Sequence, residues 1–284
     1  MKKLFIFSLI TITGLAWANW TRMNTLMVGD YIDDPVNIGL YPQHLNVFPN
    51  NFYGDILETT NSAFGMVITP LEKYGGIAFY QDKNFSIGYG VTIKKFEFGI
   101  MISPAKDHNR LGAGIGYATI DTRIDLSSVI NAETNVNEGY GLHLRLLKRK
   151  AEYIVIPRYI FNLSYEPYEY QSHNLGLALQ RLILNDGFVI LGFEYLLQNG
   201  AINADREYCF AAFELPLNRT FYLRMGAREE FDKDFVPIKW HVEPGLGLRI
   251  REFNLDFHLN QERLFNKETT FFKSFGLDLN FGRF

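Results

Sequence analysis

The sequence predicts an all-β protein: a single closed antiparallel transmembrane β-barrel of about 14 strands, with 12 and 16 as the neighbouring even counts. Three observations carry that reading. Long stretches alternate apolar and polar residues. FNLDFHLN (253–260) does so without a slip, and a strand sends successive side chains to opposite faces. After an opening export signal, no apolar run approaches the roughly 20 residues that a spanning helix needs. Only a closed barrel then remains for crossing a bilayer, because every backbone group must be satisfied internally. Finally, tight links alternate with longer ones along the chain, which is the hairpin rhythm of a membrane barrel.

Residues 1–18, MKKLFIFSLITITGLAWA, place Lys2 and Lys3 before a short apolar core and Ala16-Trp17-Ala18 after it. This reads as a secretory signal peptide cleaved after Ala18. Residues 19–50 form no clear strand. Pro35, Pro42 and Pro49 interrupt GDYIDDPVNIGLYPQHLNVFPN (29–50), which reads as a loop with one helical turn. Residues 51–284 are the expected barrel.

Its first half offers short candidate strands at 51–59, 62–70, 75–81, 85–93, 96–103 and 109–120. The second half is more regular, with strands at 140–147, 153–165, 175–182, 188–197, 207–217, 221–229, 241–251, 253–260 and 271–284. Tight links are expected near 149–151, 185–187, 218–219 and 251–252. Longer ones are expected near 121–136, 166–172, 199–206, 231–238 and 263–269. These fifteen candidates include one too many for an even-stranded barrel of 14. Pro157 falls inside a strand and removes a ladder donor, so a bulge or a harmless gap is expected there.

The two strand faces differ in kind. One carries large apolar residues, with aromatics such as Tyr153 and Tyr165 toward strand ends, as lipid-facing girdles require. The other carries His143, Arg145, Arg158, Glu194, Arg224, Arg228, Glu243, Arg249, Arg251, Asp256 and His258. These are the candidate lumen-lining residues. GAGIG (112–116) places glycines two apart on one strand face. No helix follows, so a phosphate loop is excluded, and the glycines give room on the lumen side.

Composition agrees. The chain has 25 Phe, 16 Tyr and 24 Gly, and a mean hydropathy of −0.07, as expected when each strand is half polar. The net charge of −3, or −5 without Lys2 and Lys3, argues against a nucleic-acid partner. Cys209 is the lone cysteine, so no intrachain disulfide framework exists. The six histidines show no metal-ligand spacing such as HExxH, and neither metal nor cofactor is expected. Asp256 and His258 share a strand face about 7 Å apart, but no nucleophile signature accompanies them. The chain is not read as an enzyme. A soluble β-sandwich with a greasy core would also alternate, and a secreted soluble protein is the third reading.

The last strand, FGLDLNF followed by GRF, ends on Phe284. With the signal peptide and the strand rhythm, it resembles Gram-negative outer-membrane β-barrel proteins, whose final strand is read by the barrel-insertion machinery. That likeness implies the outer membrane as location, with its lipid and the insertion machinery as partners. Phe284 departs from the pattern, lying one step out of phase with Phe275, Leu277, Leu279 and Phe281. A second likeness is narrower. DDPVNIGLYPQHL (33–45) is similar to the segment before the barrel in the long-chain fatty-acid transporter family, although Asn37 and Pro42 are not adjacent as that family's Asn-Pro-Ala would require. The likeness implies 14 strands and an N-terminal plug, with residues 19–50 in the lumen and Asp33, Asp34 and Asn37 paired with wall arginines. Otherwise these residues form a plain periplasmic tail. The expected function is a pore or transporter for small or apolar solutes. The alternative is a non-conducting barrel that anchors or scaffolds.

Overall fold

In the computed structural model, the alternating stretches pair edge to edge until the last strand meets the first. The structure describes residues 20–57, 63–71, 74–81, 85–104, 108–133, 139–165, 169–183, 187–201, 203–251, 253–264 and 266–280. The expected signal peptide at residues 1–18 and the residues 281–284, including Phe284, lie outside them. The strands are β1 (Asn51–Leu57), β2 (Ala63–Leu71), β3 (Gly75–Gln81), β4 (Phe85–Ile93), β5 (Phe96–Ser103), β6 (His108–Ala118), β7 (Thr122–Glu133) and β8 (Gly139–Lys150). They continue with β9 (Tyr153–Ser164), β10 (Tyr170–Ile183), β11 (Gly187–Gly200), β12 (Ala204–Pro216), β13 (Phe221–Asp232), β14 (Pro237–Ile250), β15 (Phe253–Leu259) and β16 (Phe272–Asn280). Each pairs antiparallel with its neighbours in sequence, and β1 pairs with β16 to close the barrel.

The barrel has 16 strands, not 14. All fifteen expected strands form, and the one passed over is β7, inside the stretch 121–136 read as a long link. Ser128 sits among the outward residues Ile124, Leu126 and Ile130, and Val129 sits inward beside Asp125 and Ser127. The pattern is therefore blurred in both directions where it matters. The link contrast is also milder than expected. Links after even-numbered strands, such as 94–95 and 151–152, are short, while those on the other side reach twelve residues only at 260–271.

No bulge forms at Pro157. β8 and β9 keep one register from Gly139 opposite Ser164 to Arg145 opposite Arg158. Pairing resumes in that register at Lys148 opposite Val155. Only the positions facing Ile156 and Pro157 are skipped.

The outer wall is apolar. Leu175, Leu177 and Leu191 are more than half exposed, as are many of their neighbours in the belt. An exposed belt of that size is what hydrocarbon covers. Aromatics gather near both rims: Phe96 with Tyr117 near the short links, and Phe257, Phe272 and Phe275 toward the other end. Cys209 is free and lies on this outward side.

Residues 20–50 pack against inward-facing wall residues. They form helix α1 (Trp20–Leu26) and three tight 3-10 turns, Gly29–Tyr31, Pro35–Gly39 and Pro42–Asn46, rather than a single helical turn. Proline opens two of those turns, where a missing donor costs nothing, and Asp34 caps the second by accepting from the Val36 amide. The principal apolar core is the contact between this segment and the inner wall, where Leu26, Val28, Ile32 and Val36 meet Ile154, Ile156, Ala178, Ile190 and Phe210.

Candidate functional site: the occupied lumen

The inner wall is shaped to the segment it holds. On β3 to β6 the inward positions include Gly76, Gly88, Gly90, Gly99, Gly112, Gly114 and Gly116, and residues of Pro42 to Leu45 come close to each of them. A side chain at Gly90 would begin 2.9 Å from the Leu45 Cβ, and one at Gly99 would overlap the Pro42 backbone. Gly112, Gly114 and Gly116 face inward as expected of room on the lumen side, but that room is taken by Pro42 and Gln43. Across the barrel, Gly226 on β13 lies against the backbone of Thr25 and Leu26, and Gly176 on β10 lies against the Tyr31 hydroxyl. Only glycine permits such approach, because any Cβ would need the space the segment occupies.

Charge completes the fit. Arg145 is fully buried and bonds Asp125 Oδ2 at 2.7 Å, Asp33 Oδ1 at 2.6 Å and the Asp30 carbonyl at 2.6 Å. Asp30 pairs with Arg158 and accepts from the Tyr41 hydroxyl at 2.6 Å. Arg158 continues to Glu194 at 2.7 Å, and Glu194 to Arg228 at 2.7 Å. Arg22 bridges Asp34 at 2.8 Å and Glu214 at 2.9 Å. Glu214 then meets Arg224 at 2.5 Å, and Arg224 pairs with Asp256. His44 lies 2.8 Å from Asp125, which Arg123 also approaches at 3.1 Å. Buried charges persist only when paired and hydrogen-bonded, and these are. Burial holds the His44 imidazole below its ordinary value, against the pull of Asp125.

Of the candidate lining residues, Arg145, Arg158, Glu194, Arg224, Arg228 and Asp256 belong to these networks. Glu243 and His258 sit together at 2.8 Å with Lys273. His143 is buried with its ring nearly perpendicular to that of Tyr41, the centroids 6.2 Å apart. Arg249 bonds Asn254 at 3.0 Å and lies over the Tyr222 ring. Arg251 does not line the interior: it stands exposed in the β14–β15 link with φ +56°. Of the three expected segment contacts, Asp33 reaches a wall arginine. Asp34 instead pairs with Arg22 of the segment itself. The Asn37 amide donates to the Ile32 carbonyl at 2.8 Å, because the 3-10 turn at Pro35–Gly39 folds it back on its own chain. Sequence reasoning missed Asp30, Arg22, Asp125, Glu214 and Arg110, whose guanidinium donates to the Gly39 carbonyl at 2.8 Å.

At the short-link end a cavity of about 840 Å³ opens. Arg22, Ile32 and Asp33 of the segment form part of its wall, with Arg123, Leu147 and Ile154 among the strand residues.

No protein-family model and no curated protein matches the chain. Solved structures do. A bacterial polysaccharide outer membrane secretin aligns with 82% of this chain and 97% of its own at 10% identity and a TM-score of 0.55. OccAB3 of Acinetobacter baumannii aligns with 81% of this chain and 96% of its own at 8% identity and a TM-score of 0.50. The fold is that of the outer-membrane β-barrels. At such identities the likeness reaches the fold alone. The narrower likeness to the fatty-acid transporter family gains no support from these comparisons, and its 14 strands are replaced by 16.

Proposed function

We propose that the chain resides in the outer membrane and passes small or apolar solutes, with residues 19–50 as a plug that keeps the lumen closed at rest. In this reading residues 1–18 are removed on export, residues 51–284 form the barrel, and the insertion machinery recognises the strand that ends at Phe284. The short links face the periplasm, as is usual for such barrels. The observation that carries the reading is the cavity at that end. It is wide enough for a solute, and the segment itself forms its inner limit through Arg22, Ile32 and Asp33. A solute entering there would have to displace the segment, so the plug is the gate.

The glycine-lined wall favours a second reading, a barrel that never conducts and serves as an anchor, since so close a fit resists movement. Single-channel recording separates the two. Wild-type protein is expected to be nearly silent, and Arg145→Met, which loosens the segment, is expected to produce openings. Steady large currents from the wild type would remove the plug. Silence from both would leave the anchor.

A further inference from the structure

Three successive cations, Lys148, Arg149 and Lys150, end β8 at the short-link rim. Strand alternation divides them. Arg149 falls on the inner face with Leu147, and both line the cavity there. Lys148 and Lys150 fall on the outer face with Leu144, and all three are exposed. Strand pairing adds to them. Lys150 lies opposite Tyr153, and Tyr153 lies opposite Arg181. These residues form one row across β8, β9 and β10. The Arg181 guanidinium lies 5.5 Å from the centre of the Tyr153 ring. The next row into the wall is Lys148, Val155 and Leu179.

The outward cations are only loosely engaged. Lys148 meets Asp121 at 2.6 Å and Arg181 meets Glu152 at 3.2 Å, but all four side chains are about half exposed. Such pairs are weak in water, and each cationic head keeps further donors. Lys148, Lys150 and Arg181 set against Asp121 and Glu152 leave one positive charge in excess.

Beyond these rows the apolar belt is hollowed. A groove of about 690 Å³ is lined by Leu144, Leu146, Pro157, Tyr159, Leu177 and Phe193. Pro157, with its short ring, stands among larger neighbours and gives the groove its depth. Leu146, Pro157 and Leu177 lie two residues further along their strands than Lys148, Val155 and Leu179. By strand rise the groove therefore begins about 7 Å from that row and about 14 Å from the rim row. From the rim into the wall the order is cations with an aromatic ring, then a mixed row, then an apolar trough. That is the order of polarity along a diacyl phospholipid: phosphate, glycerol esters, acyl chain.

We propose that this outer face of β8 to β10 binds one anionic phospholipid of the periplasmic leaflet. Its phosphate lies against Lys150, Arg181 and Lys148, and an acyl chain lies in the groove at Pro157. The groove opens onto the exposed belt that hydrocarbon covers, and the charge in excess at its rim is positive. Both features fit an anionic lipid. The proposal rests on the membrane placement and orientation given above, and not on passage of a solute.

The test uses the full-length protein in phosphatidylcholine vesicles. These carry a trace of phosphatidylglycerol, or of phosphatidylcholine, with a diazirine at the same acyl carbon. After photolysis, peptide mapping compares the groove residues Leu144, Tyr159 and Leu177 with Ile100 on β5 and Leu246 on β14, which are exposed on other parts of the belt. At the groove the phosphatidylglycerol probe is expected to exceed the phosphatidylcholine probe by about five-fold. Ile100 and Leu246 should take both probes alike. Lys150→Gln/Arg181→Gln should bring the two probes to parity at the groove. Glu152→Gln, which releases Arg181, should widen the excess. Heat-modified gel mobility confirms that each variant has closed its barrel. Equal labelling of the wild-type groove by both probes would overturn the proposal. So would an excess of the same size at Ile100 and Leu246, or one that survives the double substitution. Failure of both probes to mark any of the five residues would mean that the belt does not meet lipid. The membrane reading would then fall as well, an outcome distinct from loss of headgroup preference alone.

Discussion

Arg145→Met tests how the inner segment is held. The guanidinium is fully buried and serves Asp125, Asp33 and the Asp30 carbonyl at once. Methionine keeps much of the volume and removes every donor. Breaking a buried pair from one side costs about 3–5 kcal/mol, because a buried charge is left behind. Here the lower figure applies. Asp125 retains His44 at 2.8 Å and Arg123 at 3.1 Å, and the Asp33 side chain is 34% exposed and can turn to water. A loss of about 3 kcal/mol shifts the docked–undocked equilibrium by somewhat more than 100-fold. Hydrogen exchange reads this directly. The amides of Asn37, Leu40, Tyr41 and His44 close the 3-10 turns through bonds of 2.7–2.9 Å, so their protection is expected to fall by about that factor. The ladder amides of β10 and β11 should be unchanged. Protection of the segment within a few-fold of wild type would refute the claim that Arg145 holds it. Equal loss across all strands would mean that segment and barrel form one cooperative unit.

Three further outcomes are expected. Gly99→Val drives a side chain into the Pro42 backbone and should weaken docking by about 1–3 kcal/mol, seen in the same segment amides. Ala113→Val, on the exposed side of β6, should leave those amides unmoved. Leu177→Arg puts a charge on the lipid face and should destabilise the barrel in vesicles by about 2–4 kcal/mol if the site is near the bilayer midplane, measured by reversible urea unfolding. His44 gives a pH dependence. Its docked value lies below the ordinary one, so the undocked state binds the proton more readily. Docking is therefore fully stable above the undocked value of about 6.5 and weakens as pH falls below it. Openings in bilayers should become more frequent at about pH 5 than at neutrality, and His44→Gln should remove that difference.

The barrel was legible because lipid outside and polar groups inside impose a period of two on every strand, and fifteen of the strands announced themselves that way. β7 did not, because Ser128 and Val129 stand on the faces opposite to those their polarity suggests. Charged partners on the wall were legible as residues on the polar face, since unpaired charge is not tolerated there. Arg251 was misplaced because its alternation runs on into a link, where φ +56° turns it to solvent. The segment's fit was not legible. Its 3-10 turns carry no helical period, so nothing marked Tyr31, Tyr41 and Leu45 as fully buried. A glycine such as Gly99 says that something approaches closely, but not that it is Pro42, more than fifty positions earlier in the chain.

The most direct measurement places a nitroxide in turn at Leu179 and Gln180, adjacent residues on β10 in a Cys209→Ala background. Leu179 is on the exposed apolar face and Gln180 lines the cavity at the short-link end. Collision with oxygen, which concentrates in hydrocarbon, should dominate at Leu179. Collision with a water-soluble nickel chelate should dominate at Gln180. The opposite assignment would mean that the greasy faces enclose a dry centre, and the membrane barrel would have to be abandoned.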